Sequence, residues 1–438
     1  MSDSAALILE EARKRADRAE VFMEQGETRS VNFENNRLKR ITAREFRGVG
    51  LRVFAAGRIG FASTTDLREP KRLVELAVQS AQFGEKPRFD LPGAPASLPQ
   101  VPTEDSAVGK VSAEQMVAIG REGLELSTAA SSAYLFSASI SAKTTAQRIL
   151  NSAGLDVHYT RTDMAGTVDV QEVTDAGLLQ VYEFKSWGRP FESIADITRT
   201  ALQKMASARR IAPARAEAMP VIFTPKAADN LLGPILLALS GKHVHKGSSV
   251  LAGRMGERIV DERITILDDA TVPYAPGSGP TDAEGIPTRP VLLVDKGVLT
   301  SYLLDLQVAG LLGLQTTGNG YRSYASQPAP ASSNTIVEPG PDAYDDMVAG
   351  LERGLIVDQT LGSGQSNTLA GEFSVNVSLG FLVERGEVVG RIKDCMVAGN
   401  VYELLAKPEG ISRERQWLGS DHWPAICIRA IKLAAGQQ

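Results

Sequence analysis

The sequence predicts an α+β protein: an N-terminal antiparallel sheet with helices, a middle α/β segment and a β-rich C-terminal domain. Near the start of the chain, short segments of alternating apolar and polar residues end at turn motifs. Amphipathic helical segments separate groups of such strands, and strand patterns dominate residues 371–397. Hairpins that form an antiparallel sheet, with helices beside it, are the arrangement that these patterns favour.

The first domain is predicted over residues 1–85. After an opening amphipathic helix, Val31 and Phe33 alternate with polar residues as in a half-buried strand, and Asn35-Asn36 is a turn motif. A second turn at residues 56–58 predicts a hairpin. Residues 70–83 carry the apolar face of a helix.

A proline-rich linker is predicted over residues 86–110. Five prolines lie between Gly84 and Val108, a density that excludes helix and sheet interior, so we expect an extended chain or one draped over a surface. A middle α+β domain follows over residues 111–215. Its predicted elements are a helix over 112–127 with Ser112 as N-cap, strands over 132–143 and 155–172, and a helix over 192–208.

The β-rich C-terminal domain is predicted over residues 216–438. It begins with a strand at MPVIFTP, followed by the most hydrophobic helix of the chain, which ends near Leu239. Two long loops rich in glycine, proline or serine are predicted at 270–290 and 315–340, and loops of this length are usually functional or mobile. A hairpin at 291–302 and a turn at 384–386 complete the pattern.

Composition restricts the class of protein. A chain of 438 residues has room for two or three domains with a sizeable core. A net charge of −5 and a pI near 5.6 argue against direct nucleic-acid binding, which needs clustered basic residues. The longest apolar run is too short to cross a bilayer, and the opening helix interleaves acids and bases, unlike a signal peptide. We therefore predict a cytoplasmic protein with no membrane or nucleic-acid partner.

The two cysteines, Cys395 and Cys427, lie in apolar, strand-like segments. This context favours buried free thiols over a disulfide or a pair of metal ligands. It also favours a reducing compartment.

His243 and His245 are the first candidate site. On a strand, alternate residues face the same side, so both imidazoles could contact one zinc ion. A catalytic zinc needs a third ligand, which no nearby spacing supplies, and Lys242 and Lys246 repel a cation. We favour partly exposed histidines at a loop or subunit edge, and metal binding by the pair is the alternative.

Other polar motifs predict no catalytic, cofactor-binding or metal-binding residue. Ser248-Ser249 lacks the strained turn and the oriented base of a serine nucleophile. The acid pairs Asp268-Asp269 and Asp345-Asp346 are predicted to be solvated. The glycine–serine segment at 362–364 is predicted to be a flexible loop, because no phosphate-binding motif accompanies it.

The segment LLALSGKHVHKGSSVLAGRMGE, residues 236–257, resembles the central segment of the TldD/PmbA family, once called modulators of DNA gyrase. Further resemblance begins near Glu20 and continues through residues 284–313 and 371–405. TldD-like members carry His-Glu-x-x-x-His on this helix, whereas PmbA/TldE-like members lack it. Here the first two motif positions fall on Ala238 and Leu239, and only His243 could match the second histidine.

The resemblance therefore implies the PmbA/TldE branch. The family's cysteine ligand also has no counterpart in residues 411–419, Cys427 lies beyond Pro424 inside a strand, and His422 is expected to be a structural or interface residue. The implied function is that of a subunit that lacks zinc ligands and cofactors. It would pair with a TldD-like metallopeptidase subunit, with itself as a dimer, or with both, and would process unfolded peptides. The alternatives are an autonomous metallopeptidase that uses His243 and His245, and a non-enzymatic binding protein that modulates gyrase or another target.

Overall fold

Two sheets contain most of the strands. The structure, a computed structural model, describes residues 2–174, 177–362 and 366–435. Residues 18–187 form a six-stranded sheet, and residues 218–435 form an eleven-stranded sheet. Helices pack beside both sheets, which confirms the predicted α+β class and the β-rich C-terminal part.

The N-terminal half contains four α-helices and six strands among the described residues. In chain order these are α1 (Ser2–Arg13), β1 (Arg18–Glu34), β2 (Arg37–Ala55), β3 (Arg58–Thr64), α2 (Pro70–Ser80), α3 (Ala113–Ala130), β4 (Leu135–Asn151), β5 (Asp156–Thr174), β6 (Gly177–Trp187) and α4 (Ala195–Ala208). Short 3₁₀ turns at Ala81–Phe83 and Val108–Lys110 flank the proline-rich segment. Strand β6 has no counterpart among the sequence predictions.

The six strands follow the order β3-β2-β1-β4-β5-β6, and every pairing is antiparallel. Because β1 pairs with β4, one sheet joins strands from the predicted first and middle domains, whose boundaries stay predictions. The proline-rich segment lies against this sheet. Asn151 Nδ2 donates to the Pro92 carbonyl at 2.8 Å, and Thr162 N donates to the Thr103 carbonyl at 3.0 Å.

The C-terminal half supplies the other elements. In chain order they are β7 (Ala218–Phe223), α5 (Asp229–Leu239), α6 (Gly241–His245), β8 (Ile266–Asp268), β9 (Val291–Asp295), β10 (Val298–Leu299), α7 (Leu306–Leu312), β11 (Gly320–Tyr321), β12 (Ala329–Pro330), β13 (Thr335–Val337), α8 (Tyr344–Ala349), β14 (Arg353–Leu361), β15 (Glu372–Glu384), β16 (Glu387–Arg391), β17 (Cys395–Asn400), α9 (Val401–Leu404), β18 (Gly410–Leu418) and β19 (Asp421–Ala435). Residues 363–364 of the predicted flexible loop lie outside the described residues.

Part of the large sheet, including β7 and most of β14, is buried on both faces. Its main path is β10-β9-β8-β13-β19-β17-β15-β14-β7, with β16 on β15 and β18 on β19. In β7, Val221 and Phe223 pack into the core that contains α5, while Ile222 between them packs toward α3 and α4. Strands covered on both faces need continuous apolar runs, which explains the hydrophobic character of these segments.

Local sequence motifs form the predicted turns and caps. Asn35 and Asn36 have φ angles of 49° and 66°, the left-handed conformation that a tight hairpin turn requires. The Ser112 side chain accepts a hydrogen bond from Gln115 N, and the Gln115 side chain accepts one from Ser112 N, which is a capping box. Cys395 and Cys427 are buried free thiols, as predicted. Among the described residues no helix is long and apolar enough to span a bilayer.

A buried cluster of four charges joins the two halves of the molecule. Arg52 of β2 lies 2.9 Å from Glu20 Oε1 of β1 and 2.8 Å from Glu284 Oε1 in the long loop after β8. Arg322, which follows β11, lies 2.8 Å from the same Glu20 oxygen. All four side chains are at most 2% exposed. Buried charges are tolerated when they are paired, so each member depends on the others.

Replacing Arg52 with Met should lower the free energy of unfolding by about 3–5 kcal/mol, since the change leaves two carboxylates buried without their shared partner. Urea unfolding followed by tryptophan fluorescence measures the change. The control Arg72→Met removes an exposed guanidinium from α2 and should stay near the wild-type value. Equal stability of the two variants would contradict the structural role of the cluster.

Candidate functional site

The helix that resembles the family's zinc-binding helix ends in a tight turn. Helix α5 ends at Leu239, Ser240 has an extended conformation, and α6 begins at Gly241. Gly241 N donates to the Leu303 carbonyl at 2.9 Å, and Leu303 N donates to the Leu239 carbonyl at 2.9 Å. A Cβ atom on Gly241 would lie 2.4 Å from Leu304 Cδ2. The turn therefore requires glycine, because another chain segment approaches it closely.

Ala238 and Leu239 face the hydrophobic core. Both residues are 0% exposed and belong to the cluster of buried residues around α5. The Ala238 carbonyl accepts a hydrogen bond from Ser249 Oγ at 2.6 Å, which fixes the segment after α6 against the helix end. Apolar packing therefore occupies the two positions where the resemblance would place a zinc ligand and a general base.

The strand interpretation of His243 and His245 is wrong. Both residues lie on α6, and residues two apart on a helix point about 200° apart, so the imidazoles do not share a face. His243 is half-buried and its Nδ1 lies 3.2 Å from Ser248 Oγ, while His245 is exposed. In the described part of the chain no carboxylate hydrogen-bonds to His243, so the Ser248–His243 contact lacks the third group of a catalytic triad.

Within residues 2–174, 177–362 and 366–435, no group of three or more His, Cys, Asp and Glu side chains is arranged to hold a metal ion. Burial raises the pKa of the Cys427 thiol to about 12, so this residue does not present a thiolate. His422 stacks on Trp417 with ring centroids 4.5 Å apart. Burial and then the nearby Arg415 charge lower the His422 pKa to about 4, so the ring is neutral at pH 7.

One of the two acid pairs differs from its prediction. Asp268 is buried rather than solvated, and it accepts hydrogen bonds from Asn319 Nδ2 at 2.6 Å and from Ser333 N and Oγ at 2.6 and 2.8 Å. Burial raises its pKa to about 6. The prediction was wrong because the partners come from a distant loop. Asp345 and Asp346 are exposed in α8, as predicted.

A polar cleft lies between the six-stranded sheet and the two long loops of the C-terminal half. Its volume is about 380 Å³. Strands β4 and β5 supply Gln147, Tyr159 and Arg161, and the loops predicted at 270–290 and 315–340 supply the opposite wall. The loop residues that line the cleft include Pro276, Thr281, Asp282, Asn319, Arg322 and Ser333. Pockets of this size between structural units are the usual place for ligands.

Hydrogen bonds hold the two loops together. Asp282 Oδ1 accepts from the amides of Glu284 and Ile286, and its Oδ2 accepts from Gly320 N, each at 2.9 Å. Asn334 Nδ2 donates to Ser278 Oγ at 2.9 Å, which ties the same loops at a second point. Burial, followed by the charge of Glu284, raises the pKa of Asp282. These contacts give the cleft a fixed wall.

The cleft can bind a ligand, but its described residues include no nucleophile with an oriented base. Arg322 lines the cleft and is held by Glu20, while Arg161 is half-buried and its guanidinium makes no hydrogen bond or ion pair with another part of the described chain. A free guanidinium beside hydroxyl and amide groups suits carbonyl and carboxylate oxygens, such as those of a peptide. No serine or cysteine nucleophile with an oriented base lines this cavity within the described residues.

The sequence predicts the two loops that wall this cleft, but not the individual residues that line it or the charge cluster beneath it. The sequence feature that could have revealed the charge cluster is a charged residue inside an apolar strand. Arg52 interrupts the apolar residues Leu51 and Val53, and Glu20 lies between Ala19 and Val21 inside a buried run of β1. A charge at such a position is costly unless a partner meets it, which points to a distant ion pair.

Comparisons with known proteins agree with this architecture. Residues 19–81 match the family model for PmbA/TldA metallopeptidase domain 1, and residues 216–435 match that for the PmbA/TldA metallopeptidase C-terminal domain. The chain is 26% identical to a metalloprotease of Methanothermobacter thermautotrophicus over 94% of this chain and 92% of the relative. It is 25% identical to metalloprotease PmbA of Escherichia coli O157:H7 over 99% of this chain and 96% of the relative.

A solved structure has the same fold. The crystal structure of TldE from Thermococcus kodakarensis superposes with a TM-score of 0.91 at 25% sequence identity. The match covers 99% of this chain and all of the other. This chain thus shares its overall fold with a protein of that name.

Replacing Asp268 with Asn should reduce the pH dependence of stability. The folded-state pKa of about 6 exceeds the unfolded value of about 3.9, so the folded state binds more protons between these values. Asp268 therefore contributes most to the free energy of unfolding below pH 4. This contribution, at most about 3 kcal/mol, is lost as the pH rises through 6. The measurement is the change in Tm between pH 5.0 and 7.5.

The comparison with wild type and with a control variant isolates the effect of Asp268 on the pH dependence of stability. His422 acts in the opposite direction, because its lowered pKa adds stability as the pH rises, but it is present in wild type and variant alike. The exposed Asp346→Asn control should keep the wild-type pH dependence. An Asp268→Asn protein whose Tm changes with pH as much as the control's would refute the assignment.

Proposed function

The chain belongs to the PmbA/TldD family of metallopeptidases, and we propose that it is a PmbA/TldE-like subunit that has no zinc site of its own. It acts beside a TldD-like metallopeptidase subunit on unfolded peptides. The proposed location is the cytoplasm, and the proposed assembly is a pair, formed with that partner or with a second copy. The acidic pI, near 5.6, favours neither DNA nor RNA as a direct ligand.

The observation that carries this proposal is the burial of Ala238 and Leu239 at the end of α5. Zinc hydrolysis needs a bound water of near-neutral pKa and a base that takes its proton. Alanine cannot bind a metal and leucine cannot accept a proton. Because both side chains pack in the core, no neighbouring side chain can enter the space to replace them.

The other ligand candidates do not fit a zinc ion either. His243 and His245 point away from each other on α6, and Lys242 and Lys246 flank them. Cys427 packs among buried apolar residues on the side of the large sheet that faces α3 and α4. A tetrahedral site needs its ligands converging at about 2.0–2.3 Å from one point, which these residues do not do. This disfavours the autonomous metallopeptidase.

The cleft supports a role in holding peptide. Its volume of about 380 Å³ accommodates a few side chains of an extended segment but not a folded domain. Arg161 and the polar loop groups suit backbone and carboxylate oxygens. A subunit that holds peptide next to the catalytic centre of its partner raises the cleavage rate through positioning.

The purified chain should contain no stoichiometric zinc after incubation with zinc and dialysis. The reason is that fewer than three ligands converge anywhere in the described chain. Elemental analysis by plasma emission provides the measurement. The control is a His243→Ala/His245→Ala double variant, which should give the same background. About one zinc per wild-type chain that disappears in this variant would favour the autonomous metallopeptidase instead.

The wild-type chain alone should leave an unstructured peptide intact, and adding it to a partner that carries His-Glu-x-x-x-His should raise the partner's cleavage rate at least tenfold. The assay follows peptide cleavage by each chain separately and by the mixture, with and without a chelator. An Arg161→Met variant tests the cleft and should weaken the gain through KM, while the exposed Arg72→Met control should not.

The two negative outcomes are distinguishable. Chelator-sensitive cleavage by this chain alone would refute the non-catalytic assignment. No gain on mixing, despite an active partner, would refute the subunit assignment.

A further inference from the structure

Strand β3 pairs with less than half of the outer edge of β2. Residues 37–54 pair with β1 on the inner side, with one irregularity opposite Asn32 and Phe33. Strand β3 covers the outer side from Val49 to Ala55 only. Residues 37–48 therefore extend past the end of β3 with an unpaired edge.

The register shows which backbone groups face outward. The Phe54 carbonyl accepts from Asp17 N on the β1 side, so even-numbered residues of β2 bond to β1. Odd-numbered residues bond to β3, and past the end of β3 the same alternation leaves their amides and carbonyls without a strand. These residues are Ile41, Ala43, Glu45 and Arg47, and all four are exposed. No hydrogen bond from this outer side to another part of the described chain is present.

The unpaired edge is strongly basic, although the whole chain has a net charge of −5. Residues 37–47 contain five basic side chains and one acid, Glu45, and every one of the basic residues is exposed. Lys39 lies 3.5 Å from Glu34, and the described chain provides no ion pair to the other four, which are Arg37, Arg40, Arg44 and Arg47. Such a concentration of unpaired charge favours an acidic ligand.

An open strand edge binds an extended polypeptide through backbone hydrogen bonds, and the charged side chains beside the edge select which polypeptide binds. A second copy of β2 would bring another basic strand alongside the first, which like-charge repulsion disfavours. We propose that the outer edge of β2, residues 41–47, binds an acidic polypeptide segment in extended conformation as a seventh strand of the six-stranded sheet.

The geometry defines the ligand further. Arg40 and Arg44 lie on one face of β2 and are about 13 Å apart, at about 3.3 Å per residue. An added strand presents alternate side chains to that face, so acids at every second position meet both guanidiniums. Outward backbone groups of four residues supply the hydrogen bonds. Peptide binding at this edge requires no catalytic partner, so the chain alone tests it.

The direct test measures fluorescence anisotropy of a labelled ten-residue peptide of alternating Glu and Thr, titrated with the wild-type chain. We expect binding that weakens as NaCl rises from 50 to 200 mM, and at least tenfold weaker binding of the matching Lys–Thr peptide. A Glu–Thr peptide N-methylated at every backbone amide loses its donors on both edges and should also bind at least tenfold more weakly. Equal binding of all three peptides, or none, would overturn the proposal.

Protein variants locate the site. Arg40→Glu/Arg44→Glu should weaken binding of the Glu–Thr peptide at least tenfold, while Lys71→Glu/Arg72→Glu on α2, an exposed charge reversal of equal size, should not. Ala43→Pro removes one outward amide, a change that edge strands tolerate, and should weaken binding similarly. If sedimentation shows that Ala43→Pro instead dissolves a dimer of this chain, the edge is a self-contact and the proposal fails.

Discussion

The pairing of four buried charges is the constraint on which the rest of the structure depends. Glu20 and Arg52 lie on the face of the six-stranded sheet opposite its helices, and Glu284 and Arg322 come from the two long loops. Each charge would be costly to bury alone, so the loops must meet the sheet in one arrangement. The Glu284 carboxylate also accepts from Leu306 N at 2.7 Å and so positions the start of α7.

That arrangement also creates the cleft. The charge cluster holds the loops at their base, and Asp282 holds them to each other. The space between Arg161 and the loops therefore stays open. A second cluster, in which Lys204 and Lys226 meet the buried Glu183 and Asp358, joins the same two sheets at another point. Buried charges and hydrogen bonds thus fix the walls of the cleft, while the end of α5 is packed with apolar side chains.

Local motifs were predictable because short-range physics determines them. Asn35-Asn36 forms a turn through its tolerance of positive φ, and Ser112 with Gln115 caps α3 within one helical turn. Only the strand placement of the histidine pair was wrong, because the five-residue segment that begins at Gly241 has no periodicity long enough to separate helix from strand. Asp268 was mispredicted because its partners, Asn319 and Ser333, are more than fifty residues away.

The sequence by itself determined the α+β class, the hairpins, the helix caps, the buried cysteines and the apolar residues at positions 238 and 239, since each depends on residue type and near neighbours. Only the tertiary structure decided that β1 pairs with β4, that Arg52 meets Glu284, that the two long loops enclose a cleft, and that residues 41–47 lack a neighbouring strand. The physical reason is that long-range pairing depends on which surfaces meet after the chain folds, and periodicity along one strand does not encode its partner.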